Sequence, residues 1–459
     1  MAIPSNPGAC FWQNNPHELH NHRSTEDLPT HSDVVIIGAG YAGVSTAWHL
    51  LHNHPNIKSI TILEARGACS GATGRNGGHL RPDLYGHIPT YIDRAGPEAA
   101  AEIAEFEIAH VQAIKKLVER EQIDCDFRLT RTIDVWCNEE AAKGARKVYE
   151  RMKGYGFGYM DDVDFHTKNV EGICGVKNAL ACASYTAATI WPYKFIMHLL
   201  AKLLASGKVN LQTHTPATAV TPSADGDGKF TIATPRGTLH ANKVIHTSNA
   251  YVSALLPQYK HNIIPCKGIC CRIAVPEGTE KPAPLLTNSY IERTSDNILS
   301  YLIPRADGSI IVGGASALFK PHREQWYNNT DDSVLIDAAK DFYDGYMQRT
   351  FRGWEDSGAR VEQIWTGVMG YSYDSNPHVG AVPEHEGQFI LAGLNGHGMP
   401  VVWLAAEGLA RMVGEGVAFE QTGMPRLFKS TKERIERAQG GSEEDGDILG
   451  TGSFFATKQ

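Results

Sequence analysis

The pattern of hydrophobic and polar residues near the start of the chain predicts a β-strand, a helix and a second strand. In residues 33–38, Asp33 is followed by four apolar residues and then by Gly38. Such a run is typical of a parallel strand buried on both faces. Apolar residues at helical spacing cover 42–51, and 60–64 form a second buried strand. Strand, helix and strand in this order predict a βαβ unit.

The rest of the chain alternates helical segments with short strands. Helices are predicted at 98–122, 139–155, 192–205 and 401–413. Strands are predicted at 127–137, 209–213, 230–234, 244–248 and 389–393, and a hairpin is predicted from 300–304 and 309–313. Beyond Lys429 the chain is charged and rich in glycine, which predicts a mobile end.

A nucleotide-binding signature lies inside the predicted βαβ unit. Gly38, Gly40 and Gly43 match G-x-G-x-x-G between the first strand and the helix. Glycines there allow backbone N–H groups to approach a pyrophosphate at the N-terminus of the helix. Glu64, at the end of the second strand, is placed to accept hydrogen bonds from a ribose and would repel a 2′-phosphate. The motif predicts binding of FAD or NAD.

Composition narrows the possible partners. The net charge of −8 and the lack of a Lys/Arg run argue against a nucleic-acid partner. No apolar run is long enough for a membrane span, and the start of the chain does not resemble a secretory signal, so a cytoplasmic location is expected. The nine cysteines contain no C-x-x-C pair, so no metal site is predicted. The oligomeric state stays open.

The segment after Glu64 distinguishes FAD from NAD by resemblance to a family. Residues 69–82 read Cys-Ser-Gly-Ala-Thr-Gly-Arg-Asn-Gly-Gly-His-Leu-Arg-Pro, and the later stretches are 189–192, 305–308, 311–314, 365–367, 374–380 and 392–398. In this order they resemble the D-amino-acid-oxidase (DAO) superfamily of FAD-dependent oxidoreductases, in particular the branch of gamma-glutamylputrescine oxidases and glycine/sarcosine-oxidase-like enzymes. The long polar lead-in before Asp33 also looks like fungal members of this superfamily.

The resemblance implies non-covalently bound FAD, since no cysteine is placed to suggest a covalent link. It also implies the residues that bind the cofactor: Gly38, Gly40, Tyr41, Ala42, Gly43, Glu64, Ala65 and Arg66 on the ADP half, then Ser70, Gly71, Ala72, Thr73, Arg75, Asn76, Gly77 and Gly78 along the pyrophosphate and flavin edge, and finally Gly393, Asn395, Gly396, His397, Gly398 and Met399 near the flavin.

The resemblance further implies oxidation of the C–N bond of a small-molecule amine or amino acid to an imine, with hydride transfer to the flavin and O2 as the acceptor that yields H2O2. His79, Arg81, His397 and Lys267 are the candidate catalytic residues. Arg81 is expected to bind a substrate carboxylate or to form a surface ion pair. His79 is expected near the flavin or as a structural histidine, and Lys267 either assists oxygen reduction or is structural.

The implied fold class is mixed α/β (α+β). It combines a Rossmann-like FAD-binding domain with a second, mainly antiparallel-sheet substrate domain, as in DAO and glutathione-reductase-2-like folds. The expected division is an N-terminal extension at 1–32, a discontinuous FAD-binding domain at 33–105, 185–260 and 360–425, a substrate domain at 106–184 and 261–359, and a polar C-terminal tail at 426–459.

Three alternative functions remain open from the sequence. One is a dehydrogenase of the same fold that passes electrons to an acceptor other than oxygen. Another is an NAD(P)H-dependent flavin hydroxylase, although the Gly-Asp motif of that class is replaced by Gly393-Leu-Asn395. The third is a non-catalytic FAD-binding protein.

Overall fold

The computed structural model describes residues 8–223, 228–280 and 283–449 of the 459. Residues 1–7 of the predicted extension and 450–459 of the predicted tail lie outside this range. Among the described residues, no helix combines the length and apolar character that a membrane crossing requires.

The strands of the described chain belong to two sheets. In chain order they are β1 (His31–Ile37), β2 (Ile60–Leu63), β3 (His79–Leu80), β4 (Arg128–Trp136), β5 (Asp164–His166), β6 (Ala181–Thr189), β7 (Val209–Gln212), β8 (Ala219–Pro222), β9 (Phe230–Thr234), β10 (Gly237–His246), β11 (Ile263–Ala274), β12 (Ser289–Arg293), β13 (Leu299–Pro304), β14 (Ile310–Gly314), β15 (Arg360–Ser372), β16 (His378–Ala381) and β17 (Gln388–Ala392).

The α-helices connect and cover these sheets. They are α1 (Tyr41–Asn53), α2 (Ile88–Ala95), α3 (Pro97–Glu121), α4 (Glu139–Gly154), α5 (Val170–Cys174), α6 (Pro192–Ala205), α7 (Ser316–Phe319), α8 (Arg323–Trp326), α9 (Tyr346–Thr350), α10 (Val402–Glu415) and α11 (Lys432–Gly440).

The first sheet has the doubly wound pattern that the βαβ unit predicts. Its order is β16-β17-β10-β1-β2-β7, and the strands from β17 to β7 run parallel. β1 is buried along most of its length, because helices cover the faces of a parallel sheet. α1 packs against α6 and α10. The glycine turn therefore lies at the carboxyl edge of a Rossmann-like sheet.

The second sheet is mainly antiparallel, as predicted. Its order is β15-β11-β14-β13-β12-β4-β6-β3, with β12 and β4 as its parallel pair. β15 pairs with β11 along its length, so 360–372 lie in this sheet, whereas the predicted division assigns them to the FAD-binding domain. Sheet membership alone would start the last FAD-binding segment after Ser372, and the domain division itself remains a proposal.

The end of the described chain is ordered. α11 begins after Thr431, whose hydroxyl accepts a hydrogen bond from the Arg434 backbone N–H and caps the helix. The Arg434 guanidinium donates to both carboxylate oxygens of Asp374, each at 2.8 Å, and Ile435 is buried. The prediction that the chain is mobile beyond Lys429 is therefore wrong for α11, because the Thr431 cap, the Arg434–Asp374 ion pair and the buried Ile435 hold this helix.

Candidate active site

One large cavity joins the two sheets. Its volume is about 1480 Å³, and it extends from the carboxyl ends of β1 and β2 to one face of the second sheet. In open α/β sheets, ligands bind at the carboxyl ends of the strands. A pocket for one drug-sized ligand occupies roughly 300–1,000 Å³, so this cavity has room for a dinucleotide and a further small molecule.

The glycine turn is built for close approach of the backbone. A Cβ at Gly43 would lie 1.9 Å from the carbonyl oxygen of Gly38, so only glycine allows α1 to pack against the end of β1. The Glu64 carboxylate accepts hydrogen bonds from the backbone N–H groups of Ala39 and Arg66, each at 2.9 Å. Glu64 therefore lies beside the turn, where the sequence motif predicts it.

The glycine-rich loop, residues 69–78, is held from outside by donors distant in sequence. The Gly74 carbonyl accepts from the Gln13 amide at 2.9 Å and from the Cys10 thiol at 3.1 Å. The indole N–H of Trp365 donates to the Arg75 carbonyl at 2.9 Å, and that of Trp12 donates to the Asn76 carbonyl at 2.5 Å. The predicted N-terminal extension is thus part of the wall behind this loop.

The two arginines of this region are occupied by protein partners. Arg66 Nη1 lies 3.0 Å from both carboxylate oxygens of Asp332. Arg75 Nε lies 3.7 Å from Asp332 Oδ2, and its guanidinium also donates to the carbonyls of Thr366 and Gly8. All three charged side chains are buried. The arginines therefore shape the loop, and the single carboxylate of Asp332 balances one of their two positive charges.

Several buried polar groups fit a bound dinucleotide. The hydroxyls of Ser70, Ser248 and Tyr251 line the cavity, are buried, and have no hydrogen-bond partner among the described residues. Buried hydroxyls normally have partners, so these three are consistent with a polar ligand. The N–H of Tyr41, at the start of α1, is already bonded to the Thr73 hydroxyl at 2.8 Å. The loop and the helix start are therefore joined before any ligand binds.

The segment 393–399 forms the wall of the cavity before α10. The Asn249 side chain accepts from the N–H groups of Gly393 and Leu394, and the Asn395 side chain accepts from the Ser372 N–H at 2.7 Å. Gly396 has a φ of 68°, where a side chain would also meet the Tyr371 hydroxyl. These bonds hold the turn that presents His397 and Met399 to the cavity.

His79 and Arg81 lie on the second-sheet side. His79 Nε2 is 2.8 Å from the Ser289 hydroxyl, and burial, together with nearby Arg81 and His397, lowers the pKa of His79 well below its ordinary value. Arg81 Nη2 donates to both carboxylate oxygens of Asp134, at 3.1 and 2.8 Å. Burial disfavours the charge on Arg81, but Asp134 raises the pKa of its guanidinium overall. A neutral imidazole thus stands beside a paired cation.

His397 has a carboxylate partner of its own. Its Nε2 is 2.9 Å from Glu107 Oε2 on α3, and the backbone N–H of Asp83 donates to the same oxygen at 2.6 Å. Burial lowers the pKa of His397, but the charge and hydrogen bond of Glu107 outweigh it and raise the pKa overall. The protein therefore favours an imidazolium at this wall of the cavity.

Lys267 reaches the cavity from β11. Its side chain is buried, and Nζ donates to the Val334 carbonyl at 2.7 Å. Burial lowers the pKa of Lys267, although Asp331, Asp332 and Asp337 oppose that shift. The ammonium group is thus anchored in the same segment that supplies Asp332.

The structure brings nearly all of the predicted site residues together. Every predicted cofactor-binding or catalytic residue lines the cavity except Gly43, Gly78 and Gly393. These three allow close packing of the backbone next to the cavity. The surface ion pair that was one alternative for Arg81 is instead a pair with the buried Asp134, in which the Arg81 side chain is 16% exposed, because β4 places that carboxylate inside the second sheet.

Three carboxylates of the site were not predicted. Glu107 lies on the buried face of α3, in step with Ala100, Ile103, Ala104, Val111 and Ile114, so its helical spacing was a usable signal. Asp134 interrupts the apolar run of β4 and was detectable in the same way. Asp332 lies in an irregular segment with no pattern that marks it.

The comparisons with known proteins agree with this geometry. Residues 33–412 match the DAO family, described as FAD dependent oxidoreductase. The chain is 23% identical to the gamma-glutamylputrescine oxidoreductase of Escherichia coli (strain K12) over 399 residues, covering 84% of this chain and 85% of that protein. It is 23% identical to the glycine oxidase of Bacillus licheniformis over 400 residues, covering 83% of this chain and 92% of that protein.

Solved structures share the fold. The L-proline dehydrogenase from P. horikoshii superposes with a TM-score of 0.67 at 19% identity, covering 85% of this chain and 95% of that one. The glycine oxidase from Geobacillus kaustophilus superposes with a TM-score of 0.67 at 21% identity, covering 88% of this chain and 99% of that one. The predicted arrangement of a Rossmann-like domain and a mainly antiparallel second sheet is confirmed.

Proposed function

The chain belongs to the DAO family of FAD-dependent oxidoreductases, and on that premise we propose that it oxidises the C–N bond of an amine or amino acid to an imine, with O2 as the electron acceptor and H2O2 as the product. Water then hydrolyses the imine to a carbonyl compound and an amine or ammonia. Relatives named as acting on a polyamine derivative and on glycine support this substrate class.

One observation carries the proposal. The cavity continues from the glycine turn at Gly38 to the second-sheet face, where His79, Arg81 and His397 meet. A dinucleotide held at the turn and a small substrate held at the sheet face would therefore share one enclosed space. That is the arrangement that a direct transfer between cofactor and substrate requires.

Bound FAD supplies a flavin that accepts a hydride from the carbon next to nitrogen and passes the electrons on. The chain's own part is to hold the cofactor. Gly38, Gly40 and Glu64 would bind the ADP half, where the start of α1 favours negative charge. The Ser70 hydroxyl and the loop through Gly77 would bind the remainder.

His397 and Glu107 form the electrostatic part of the site. Because Glu107 favours the imidazolium of His397, a positive charge faces the cavity beside the start of α10. A fixed positive charge stabilises negative charge that develops during a reaction. We assign this role to His397 and a positioning role to Glu107.

His79 lies in a part of the cavity that is shielded from water. Burial keeps its imidazole neutral, and the same environment favours the neutral form of an amine. C–N oxidation requires that neutral amine, because its nitrogen lone pair assists departure of the hydride. Lys267 is assigned to oxygen reduction, since its buried ammonium group lines the same cavity.

Non-covalent binding of FAD is part of the proposal. Among the cysteines of the cavity wall, burial raises the pKa of Cys69 well above its ordinary value and that of Cys270 to about 11. Both thiols are also hydrogen-bonded, Cys69 to the Ala39 carbonyl and Cys270 to the Tyr301 hydroxyl. Thiolates, the nucleophilic form, are therefore disfavoured at both positions.

The test is anaerobic absorbance of the purified protein before and after addition of primary, secondary and N-methyl amines and amino acids. We expect a flavin spectrum that one amine class bleaches and that air restores with one equivalent of peroxide. Bleaching without recovery in air would replace the oxidase with a dehydrogenase. Bleaching by NAD(P)H alone would overturn the proposal in favour of a hydroxylase.

A further inference from the structure

Ile291 and Arg293 of β12 line the substrate end of the cavity. Ser289, Ile291 and Arg293 share one face of the strand because side chains alternate along it. Ser289 contacts His79, Ile291 is paired with Tyr301, and Arg293 is the last residue of the strand. With about 3.4 Å per residue, Arg293 lies roughly 7 Å beyond Ile291 and roughly 14 Å beyond Ser289.

Arg293 is a cation without an anionic partner. Its guanidinium carbon lies 5.3 Å from the centre of the Trp136 ring, and both residues line the cavity. Its Nη1 is buried and donates no hydrogen bond to the described residues. Those residues also place no carboxylate oxygen within 4.0 Å of the guanidinium nitrogens.

Three other cations of this part of the cavity wall differ from Arg293 because each has a carboxylate partner. Arg81 is paired with Asp134 at 2.8 Å. Arg151 is paired with Asp93 at 2.6 Å, and Lys143 with Glu139 at 3.2 Å. A buried guanidinium N–H without a partner is costly, and a carboxylate satisfies it with a strong, charge-assisted bond. The Trp136 ring also fixes the plane in which the guanidinium can present its donors.

We propose that Arg293 binds a carboxylate of the substrate that is remote from the C–N bond being oxidised. The substrate is then an amine that carries an anionic group at the far end of an extended chain. The spacing along β12 puts roughly 14 Å between the Cα atom of Arg293 and that of Ser289, the residue that contacts His79. The identity of the substrate rests on the proposed function, whereas the binding of an anion by Arg293 does not.

The first test compares ω-amino acids, from 4-aminobutyrate to 8-aminooctanoate, with n-alkylamines of matched chain length. We expect the longer ω-amino acids to exceed their matched alkylamines in kcat/KM. In Arg293→Gln that ratio falls about 10- to 100-fold, the usual effect of losing one charged hydrogen-bonded contact. Arg293→Lys retains part of the ratio, and Lys147→Gln, which removes an exposed cation of the same cavity wall, retains all of it.

The second test is binding of octanoate, which cannot be oxidised at a C–N bond, to the purified FAD-loaded protein by equilibrium dialysis. If octanoate binding weakens at least tenfold in Arg293→Gln, the anion site is supported. If the wild type at the same time oxidises no amine, the proposed reaction fails and the anion site stands. Equal ratios and equal octanoate binding in the wild type and Arg293→Gln would overturn the inference.

Discussion

The substitution Asp332→Asn tests whether the buried network behind the glycine-rich loop is structural. Asp332 accepts two bonds of 3.0 Å from Arg66 and faces Arg75, and its own side chain is 1% exposed. Asparagine has nearly the same shape but carries no charge, so two buried guanidinium groups lose their counter-charge. Removal of one partner from a buried ion pair costs about 3–5 kcal/mol. The unfolding entropy of 459 residues is roughly 1 kcal/mol/K, so we expect Tm to fall about 3–5 °C.

The assay is differential scanning calorimetry of the FAD-loaded protein, with flavin absorbance after gel filtration as a second readout. We expect Asp332→Asn to lose flavin as well as stability, because Arg66 and Arg75 belong to the cofactor-binding region. Asp337→Asn is the matched control: it lies in the same segment, its side chain is 75% exposed, and its partner is Lys340. Equal Tm values for the two variants would refute the reasoning.

The remaining predictions concern the site itself. Glu64→Gln weakens FAD binding about 10- to 100-fold, because the charge is lost and the amide nitrogen cannot accept one of the two bonds from the Ala39 and Arg66 N–H groups, and titration of the apoprotein with FAD measures this; an unchanged Kd would exclude that role. In the wild type the His397 imidazolium persists until pH rises through its raised pKa. Glu107→Gln lowers that pKa, so the alkaline limb of the kcat–pH profile moves to lower pH, and coincident limbs would contradict the assignment. Lys267→Met slows reoxidation of the reduced enzyme by air roughly 100-fold in stopped flow, whereas an equal rate would leave Lys267 a structural role.

The elements of the fold were predictable where a local pattern defines them. The apolar runs of β1 and β2 and the helical spacing of α1 mark the glycine turn, because parallel strands buried on both faces leave little choice of residue. The pairing of β15 with β11 was not predictable, because the two strands are far apart in the sequence and no local pattern marks them as partners. Sheet membership of 360–372 could therefore be read only from the structure.

The gathering of the candidate residues around one cavity was predictable, but their hydrogen-bond and ion-pair partners were less so. Loop arginines next to a nucleotide motif favour a phosphate role, yet Arg66 and Arg75 are bonded to Asp332, more than 250 positions away along the chain. Glu107 was findable from the periodicity of α3, because an acidic residue stood where the pattern required an apolar one. His397 was identified by resemblance, but its charge depends on Glu107.

The donors that hold the glycine-rich loop have a consequence for the order of folding. Cys10 and Gln13 precede the loop by about 60 residues, whereas Trp365 follows it by 290. During synthesis, the Arg75 carbonyl cannot accept its bond from Trp365 until most of the chain has been translated. The loop therefore reaches its final shape only when long-range contacts close late in folding.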